Sequence, residues 1–485
     1  MTKRSSIRRW LWYAQGGLLL LCVALYLLDV IFGDGDGVNA RFGLNPLKIF
    51  LCGASILLLV QGLCAVRTWL VNVSLLLLTT VLILGLLEWT LPWLAPRLLK
   101  THQYIRPLDG RFPYKSYDST YFKNYWPGSR FSYHLSEADG GGSHQIQINQ
   151  EGIRGPERAA RNADRKQLIL LGDSFVQALQ VPYEQTMGEQ LMARLGDSVE
   201  VWQHGFPSWS PLLEWNWMLR QGMELQPDAL VLFLYNNDFF SGKSVGDAGY
   251  APFAKFDAEG RPTGFVFSQQ SLASQERGMW NLFRQDVLNL GLVKTMSFVQ
   301  RKRRAQALLP VSEVDRLLAL SAAEFEQVYR EQDFEDDPLF SFRWDLLSLM
   351  RPYDRWDALT RQRLALSQTH LSGLHRSLSE RSIPLYICLI PSAWQLEGEG
   401  LASKQEMGFE GLQSPSGGLS DALADFCQGE SIPYFDLLPH FKSYKADHPA
   451  DALYFSQDRH LSPTGHRVLA DFLHQQLFQQ QGSPF

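Results

Sequence analysis

The chain has 485 residues, 45 % of them hydrophobic, with 45 Lys and Arg against 50 Asp and Glu, for a formal charge of −5. That length allows two or three ordinary folding units. The slightly acidic balance excludes a general electrostatic affinity for nucleic acid.

Composition is uneven along the chain. Trp10 to Phe32, Ile49 to Val66 and Leu70 to Leu94 are apolar runs that reach or exceed the roughly 18 residues of a membrane-spanning helix. The first is too long for a signal peptide and lacks a small-residue cleavage site. Trp10, Trp12 and Tyr13 at one end, and Trp89 and Trp93 at another, suit interfacial belts. Asp29 and Glu88 fall near the expected outer ends and read as interfacial residues. Lys3, Arg4, Arg8 and Arg9 precede the first run, which predicts a cytoplasmic N-terminus. An odd number of spans then puts everything after Leu94 outside. Arg67 in the loop between the second and third runs agrees, whereas Arg41 and Lys48 sit in the opposite loop. Residues 1–96 are therefore expected to form a three-span anchor in the bilayer. Cys388 and Cys427 are the cysteines beyond it; they could pair in an oxidising compartment, or Cys388 in "LYICLI" is simply core. Nothing suggests a metal site.

Residues 97–160, rich in aromatics and short alternations such as "FSYHL" and "HQIQINQ", read as a β-rich lead-in with Gly140 to Gly142 as a loop. From there apolar strands alternate with helices. Strands are expected at Gln167 to Gly172, Val199 to Gln203, Ala229 to Tyr235, Pro384 to Ile390 and near "PYFDL". Helices are expected at Glu184 to Leu195, Pro211 to Met223, Leu359 to Glu380, Leu419 to Cys427 and from Ser462 to about Gln479, where serine before proline is a strong start. This alternation indicates βαβ units and a parallel sheet buried on both faces, over 161–485. It breaks at about 239–357, read as a largely helical insertion. "RKRR" (Arg301 to Arg304) reads as a solvated face, and "DFEDD" (Asp333 to Asp337) lacks the ligand spacing of a calcium loop.

Strand ends at the carboxyl edge of a parallel sheet converge on one crevice. "LGDSF" puts Ser174 after the first strand, "YNND" puts Asn237 after the third, and "QDRHLSPTGH" puts Asp458 and His460 before the last helix. A serine nucleophile needs a base, an acid that orients the base, and donors for the oxyanion. Those residue types are all present. Gly-Asp-Ser is also ordinary turn and N-cap chemistry, so the first block alone decides nothing.

Taken together, the three blocks resemble the SGNH, or GDSL-type, hydrolase superfamily. "NQEGIRG" (Asn149 to Gly155) also resembles the lead-in of many bacterial members, and the resemblance covers roughly Asn149 to Leu473 apart from the insertion. It implies a flavodoxin-like parallel-sheet domain with Ser174 as nucleophile, His460 as base, Asp458 as orienting acid and Asn237 as oxyanion donor. Aligning "VWQHGFPSWS" by spacing puts Ser208 where the family has a glycine backbone donor; a backbone N–H survives the exchange, but the side chain narrows the pocket. Tyr235 replaces the first glycine of the third block. The usual acid position, three before the histidine, is Gln457, and the acid is Asp458 two before it, a spacing seen in related envelope acyltransferases. Asp173 is expected to shape the turn, and His466 to cap or pack in the last helix.

The resemblance further implies acyl transfer on O-acyl, mainly acetyl, groups of cell-envelope polysaccharides, in the periplasm of a bacterium from an inner-membrane anchor. No cofactor is implied. The partners would be an acylated glycan or acyl donor, the bilayer and, for a transferase, a separate membrane-bound acyltransferase. The alternative is a catalytically inactive SGNH-fold scaffold within a glycan-assembly complex. The topology is directly testable. A periplasm-active reporter fused after Pro96 should be active and one fused near Arg67 silent; the opposite pattern would put the soluble part in the cytoplasm.

Overall fold

The computed structural model describes residues 104–108, 113–136, 139–158, 164–239, 247–267, 353–396, 417–456 and 458–479, with scattered residues before 104 and around 321–327. The three expected spans and most of the expected insertion lie outside these. No helix of the described residues is long and apolar enough to cross a membrane.

The chain divides into two compact units, one comprising 1–113, 130–145 and 277–300, the other 114–129, 146–276 and 301–485. The early strands are β1 (Tyr104–Pro107), β2 (Tyr114–Asp118), β3 (Phe122–Tyr125), β4 (Arg130–His134) and β5 (Ser143–Gln147). In the first unit β1 pairs antiparallel with β4, Tyr104 opposite His134, and β5 completes a three-stranded sheet. In the second unit β2 and β3 form a hairpin. Its turn is closed by the Asp118 carboxylate, which accepts from the Thr120 N–H at 2.7 Å and the Tyr121 N–H at 3.0 Å, the usual work of aspartate in a turn.

The second unit continues with β6 (Lys166–Gly172), the single turn α1 (Ser174–Gln177), α2 (Met187–Leu195), β7 (Val199–Gly205), α3 (Pro211–Arg220), β8 (Ala229–Leu234), α4 (Asn236–Phe239) and α5 (Asp247–Tyr250). A short hairpin β9 (Ala254–Phe256) and β10 (Pro262–Phe265) follows, then α6 (Ala358–Ser379), β11 (Leu385–Leu389), α7 (Gly418–Glu430), β12 (Tyr434–Asp436), α8 (Leu438–Asp447) and α9 (Pro463–Phe478). The central sheet runs β12-β11-β8-β6-β7, every pairing parallel. Counted within that sheet the strand order is 2-1-3-4-5, the flavodoxin-like arrangement.

Alternation along the strands divides the core into two layers. Leu168, Leu170, Val201, Val231, Phe233 and Cys388 share one cluster with Met187 and Leu191 of α2 and Val468, Leu469 and Leu473 of α9. On the other side α3 packs against α6. Helix starts follow capping chemistry: Asp357 caps α6 by accepting from the Thr360 N–H at 2.9 Å, and Ser462 caps α9, with Pro463 in its first turn. Cys388 and Cys427 are free and buried, and burial pushes both thiols up, Cys427 to about 12. Helix α8 is absent from the reading of the sequence, because "LPHFKSYKAD" buries only Phe441 and has no apolar stripe.

Strand β7 runs two residues beyond its expected end, to Gly205. A methyl group there would lie 2.3 Å from the Asp173 carbonyl oxygen and 2.6 Å from the Gln177 nitrogen. Both are backbone atoms of the turn that carries Ser174, so neither can step aside. Gly205→Ala should therefore destabilise the chain by about 1–3 kcal/mol, the scale of overpacking. Chemical denaturation reads this; an unchanged midpoint would mean the turn yields freely.

Candidate active site

In a sheet of this order the crevice opens where the strand order reverses, between β6 and β8. Ser174 follows β6 and Asn237 follows β8. The strand-to-helix turn is built by Asp173, buried, whose Oδ1 accepts from the Phe175 N–H at 2.9 Å. Asp173 is thus both N-cap and turn former. The single turn α1 stops at Ala178, which takes a left-handed backbone, φ 57°, leaving the Ser174 side chain half-buried.

The segment before α9 brings the base. Tyr454 and Leu461 form an isolated antiparallel bridge, and the Phe455 N–H donates to the His460 carbonyl at 2.9 Å. Within this loop Arg459 has φ 69°, a left-handed kink that turns the chain back on itself. The side chains on either side of it meet as a result. His460 Nδ1 bonds Asp458 Oδ1, and the His460 N–H donates to the same oxygen at 3.3 Å. On its other edge the ring places Nε2 2.8 Å from Ser174 Oγ. Two-residue spacing therefore suffices for an acid–base–nucleophile line.

Two neighbours hold that line in place. Gln180 Nε2 donates to both Asp458 oxygens, at 3.2 and 3.1 Å, and is itself buried. Arg154, from the "NQEGIRG" segment, donates to the carbonyls of Gln177 at 3.1 Å and Val181 at 2.6 Å, and to that of Ala178. These carbonyls lie just beyond the nucleophile turn, where no helix continues to satisfy them. Burial lowers the Arg154 guanidinium to about 10, so it stays charged at neutral pH.

After β8, Tyr235 packs on Phe175 with the rings tilted by 38° and 4.2 Å between centroids, and Phe175 packs on His460 at 4.7 Å, tilted by 39°. Tyr235 thus backs the wall behind the base. Asn236 Nδ2 donates to Ser392 Oγ at 3.0 Å, and the Asp238 carboxylate accepts from the Tyr235 N–H at 2.7 Å. Asn237 hydrogen-bonds to the Asp173 carboxylate. An amide nitrogen carries two N–H groups, and the bond to Asp173 orients it beside Ser174. Ser208 lies between β7 and α3 with φ 63°, a conformation that costs a serine on the order of 1–3 kcal/mol. Among the described residues its N–H meets no acceptor.

The electrostatics favour a basic imidazole. Burial alone would depress His460, but the Asp458 charge and hydrogen bond, with the Asp173 charge behind them, outweigh it and raise the ring above its ordinary value. Arg459 opposes weakly. Asp173 is itself raised by burial, against its hydrogen bonds. Glu214 and Asp238 are held well above the carboxylate range by burial and by the charge of Asp173. The serine hydroxyl has two acceptors within reach, His460 Nε2 at 2.8 Å and Asp173 Oδ2 at 3.2 Å. A neutral ring takes the shorter bond; a protonated ring donates instead, and the hydroxyl turns to Asp173.

No known family profile matches the chain, and no curated protein does. Solved structures do. An acetyl xylan esterase is matched at 13 % identity over 63 % of this chain and 96 % of that one, with a TM-score of 0.29. A lipolytic protein of the G-D-S-L family from Veillonella parvula is matched at 11 % over 65 % and 100 %, TM-score 0.28. An acetylxylan esterase from Geobacillus stearothermophilus is matched at 8 % over 64 % and 93 %, TM-score 0.30.

Of the residues singled out in the sequence, Ser174, His460 and Asp458 form one hydrogen-bonded line, with Asn237 attached through Asp173. Gln457 lies outside the described residues. His466 is buried in α9 and lowered to about 3 by burial, a packing residue. Among the described residues no cluster of three or more His, Cys, Asp or Glu could hold a metal ion. The sequence reading misses Gln180 and Phe175. Phe175 adjoins the nucleophile and could have been suspected; Gln180 lies 278 positions from its partner and carries no local signal.

Since the base works as neutral imidazole and its pKa is raised, the acid limb of kcat/KM should fall above the ordinary histidine value of about 6.5. Activity should disappear as pH drops through that limb. Asp458→Asn should cost about 10⁴-fold in turnover and move the limb downward, because burial then acts unopposed by a neighbouring charge. A pH–rate profile whose limb stays put in the mutant would remove Asp458 from the line.

Proposed function

We propose that the chain is a membrane-anchored, SGNH-type serine hydrolase or acyltransferase of the bacterial periplasm. Its substrates are O-acyl, mainly acetyl, esters of a cell-envelope or exported polysaccharide. The observation that carries the proposal is the continuous hydrogen-bonded line Asp458–His460–Ser174. In the first half-reaction Ser174 Oγ bonds to the ester carbonyl carbon while its proton passes to His460 Nε2. Asp458 stabilises the imidazolium, and the oxyanion is received by Asn237 and backbone N–H groups including that of Ser208. Collapse breaks the bond to the leaving oxygen, which takes the proton from His460. Water or a sugar hydroxyl then gives its proton to His460 and its oxygen to the acyl carbon; the bond from that carbon to Ser174 Oγ breaks, and Oγ takes the proton back from His460. Three apolar runs after a basic N-terminus support the anchor, and with it the envelope location. A serine at 208, in the place the resemblance gives to glycine, would narrow the pocket, which supports a short acyl group.

A serine-directed fluorophosphonate should label the purified chain, with hydrolysis of p-nitrophenyl acetate as the companion assay. Ser174→Ala should abolish labelling and lower turnover by about 10⁶-fold, the loss typical of a missing triad nucleophile, with the melting temperature nearly unchanged. Full turnover in the mutant would sink the mechanism. Absent labelling of the natural chain would leave the scaffold reading.

A further inference from the structure

Ser208 holds a left-handed backbone, φ 63°, in the loop that would present an oxyanion N–H. A non-glycine residue stays in that region only when its surroundings fix it. Three attachments do so here. The Tyr250 hydroxyl donates to the Ser208 carbonyl at 2.6 Å, and the same hydroxyl accepts from Lys123 Nζ at 3.3 Å. Two residues on, Asp247 Oδ1 accepts from Ser210 Oγ at 2.5 Å and from the Leu212 N–H at 2.9 Å. Asp247 is fully buried, and its other oxygen meets His370 Nδ1 at 2.8 Å. Between these anchors, Trp209 Nε1 donates to the Lys123 carbonyl at 3.0 Å.

We infer that Tyr250 and Asp247, on the short helix α5, are positioning residues that hold Ser208 in the conformation that aims its N–H at the oxyanion. This gives the first described segment after α4, within the break in the βα alternation, a role in the chemistry. The inference rests on the hydrolase reading above. The carbonyl of Ser208 and its own N–H are joined through a single residue, whose φ and ψ together set their relation. With the carbonyl held by Tyr250 and the chain held again at Ser210 and Leu212, the N–H has little freedom to turn. Without the Tyr250 hydroxyl the loop relaxes toward ordinary φ, and the N–H rotates away from the developing charge. His370 and Lys123 complete the brace from α6 and β3.

Tyr250→Phe deletes the hydroxyl and keeps the ring that packs against Phe122 at 4.8 Å between centroids. For p-nitrophenyl acetate kcat should fall roughly 10- to 100-fold, below the loss for deleting an oxyanion donor outright. KM should stay within about twofold, because the N–H acts only as charge develops. The rate of inactivation by a fluorophosphonate, whose tetrahedral adduct places an oxygen in the same hole, should fall in parallel. Asp247→Asn, which keeps the oxygen that Ser210 and Leu212 use, should retain most activity, whereas Asp247→Ala should lose as much as Tyr250→Phe. If Tyr250→Phe fails to fold, the Asp247 pair carries the test. Natural kcat and inactivation rate in Tyr250→Phe, a change in KM alone, or equal loss in the two Asp247 variants would overturn the inference while leaving the hydrolase reading intact. A natural chain that neither hydrolyses the ester nor reacts with the probe would overturn the reading itself.

Discussion

The arrangement turns on one buried carboxylate. The Asp458 side chain is wholly inaccessible, and an ionised carboxylate removed from water is costly unless donors surround it. His460 supplies two, its Nδ1 and its backbone N–H, and Gln180 supplies a third that spans both oxygens. Each donor constrains a different part of the fold. The histidine binds the pre-α9 loop to the acid and, through Nε2, to Ser174. Gln180 binds the loop after β6 to the same acid, so the nucleophile turn and the base are fixed against one another. Removing this anion would leave the imidazole without its orientation and the glutamine without its partner.

A second constraint is steric. The nucleophile turn must lie against the end of β7, and the approach of Gly205 to the Asp173 carbonyl leaves no room for a side chain. The reward is geometric: the peptide groups of β6, β7 and their following loops reach one small volume. Arg154 fixes the exit of the same turn by neutralising carbonyls that no helix satisfies. A charged residue ahead of β6 thus serves the site without touching the reacting atoms.

Much of this was legible in the sequence, and the physical reasons are local. Strand β6 is an unbroken apolar run ending in Gly-Asp-Ser, and α9 begins with Ser-Pro, so both the sheet and its functional ends announce themselves. The spacing of Asp458 and His460 was legible as well, but not the device that makes it work. Arg459 adopts its positive φ because the Tyr454–Leu461 bridge closes the loop, and nothing in arginine advertises that conformation. Gln180, Tyr250 and Asp247 were illegible for another reason. Their roles arise from contacts across dozens to hundreds of positions, and a buried polar residue in a single sequence looks like any other.

The departures from the family pattern gain meaning from the same contacts. A glycine at position 235 would leave Phe175 without the ring that packs on it, and Phe175 is the surface against which the His460 ring rests. A glycine at 208 would take a left-handed φ freely and need no brace; serine requires one, and the Tyr250 hydroxyl is there. Around them Asp173, Glu214 and Asp238 are buried carboxyl groups whose ionisation burial opposes. Glu214 is completely buried, and neither of its oxygens has a hydrogen-bond partner among the described residues, the condition of a neutral acid rather than a buried anion. The carboxylates whose charge raises the imidazole are Asp458, directly, and Asp173, beyond the serine. A fold that served only as a scaffold would gain nothing from buried carboxylates on either side of a histidine; a base that must capture a proton from serine gains its driving force from them.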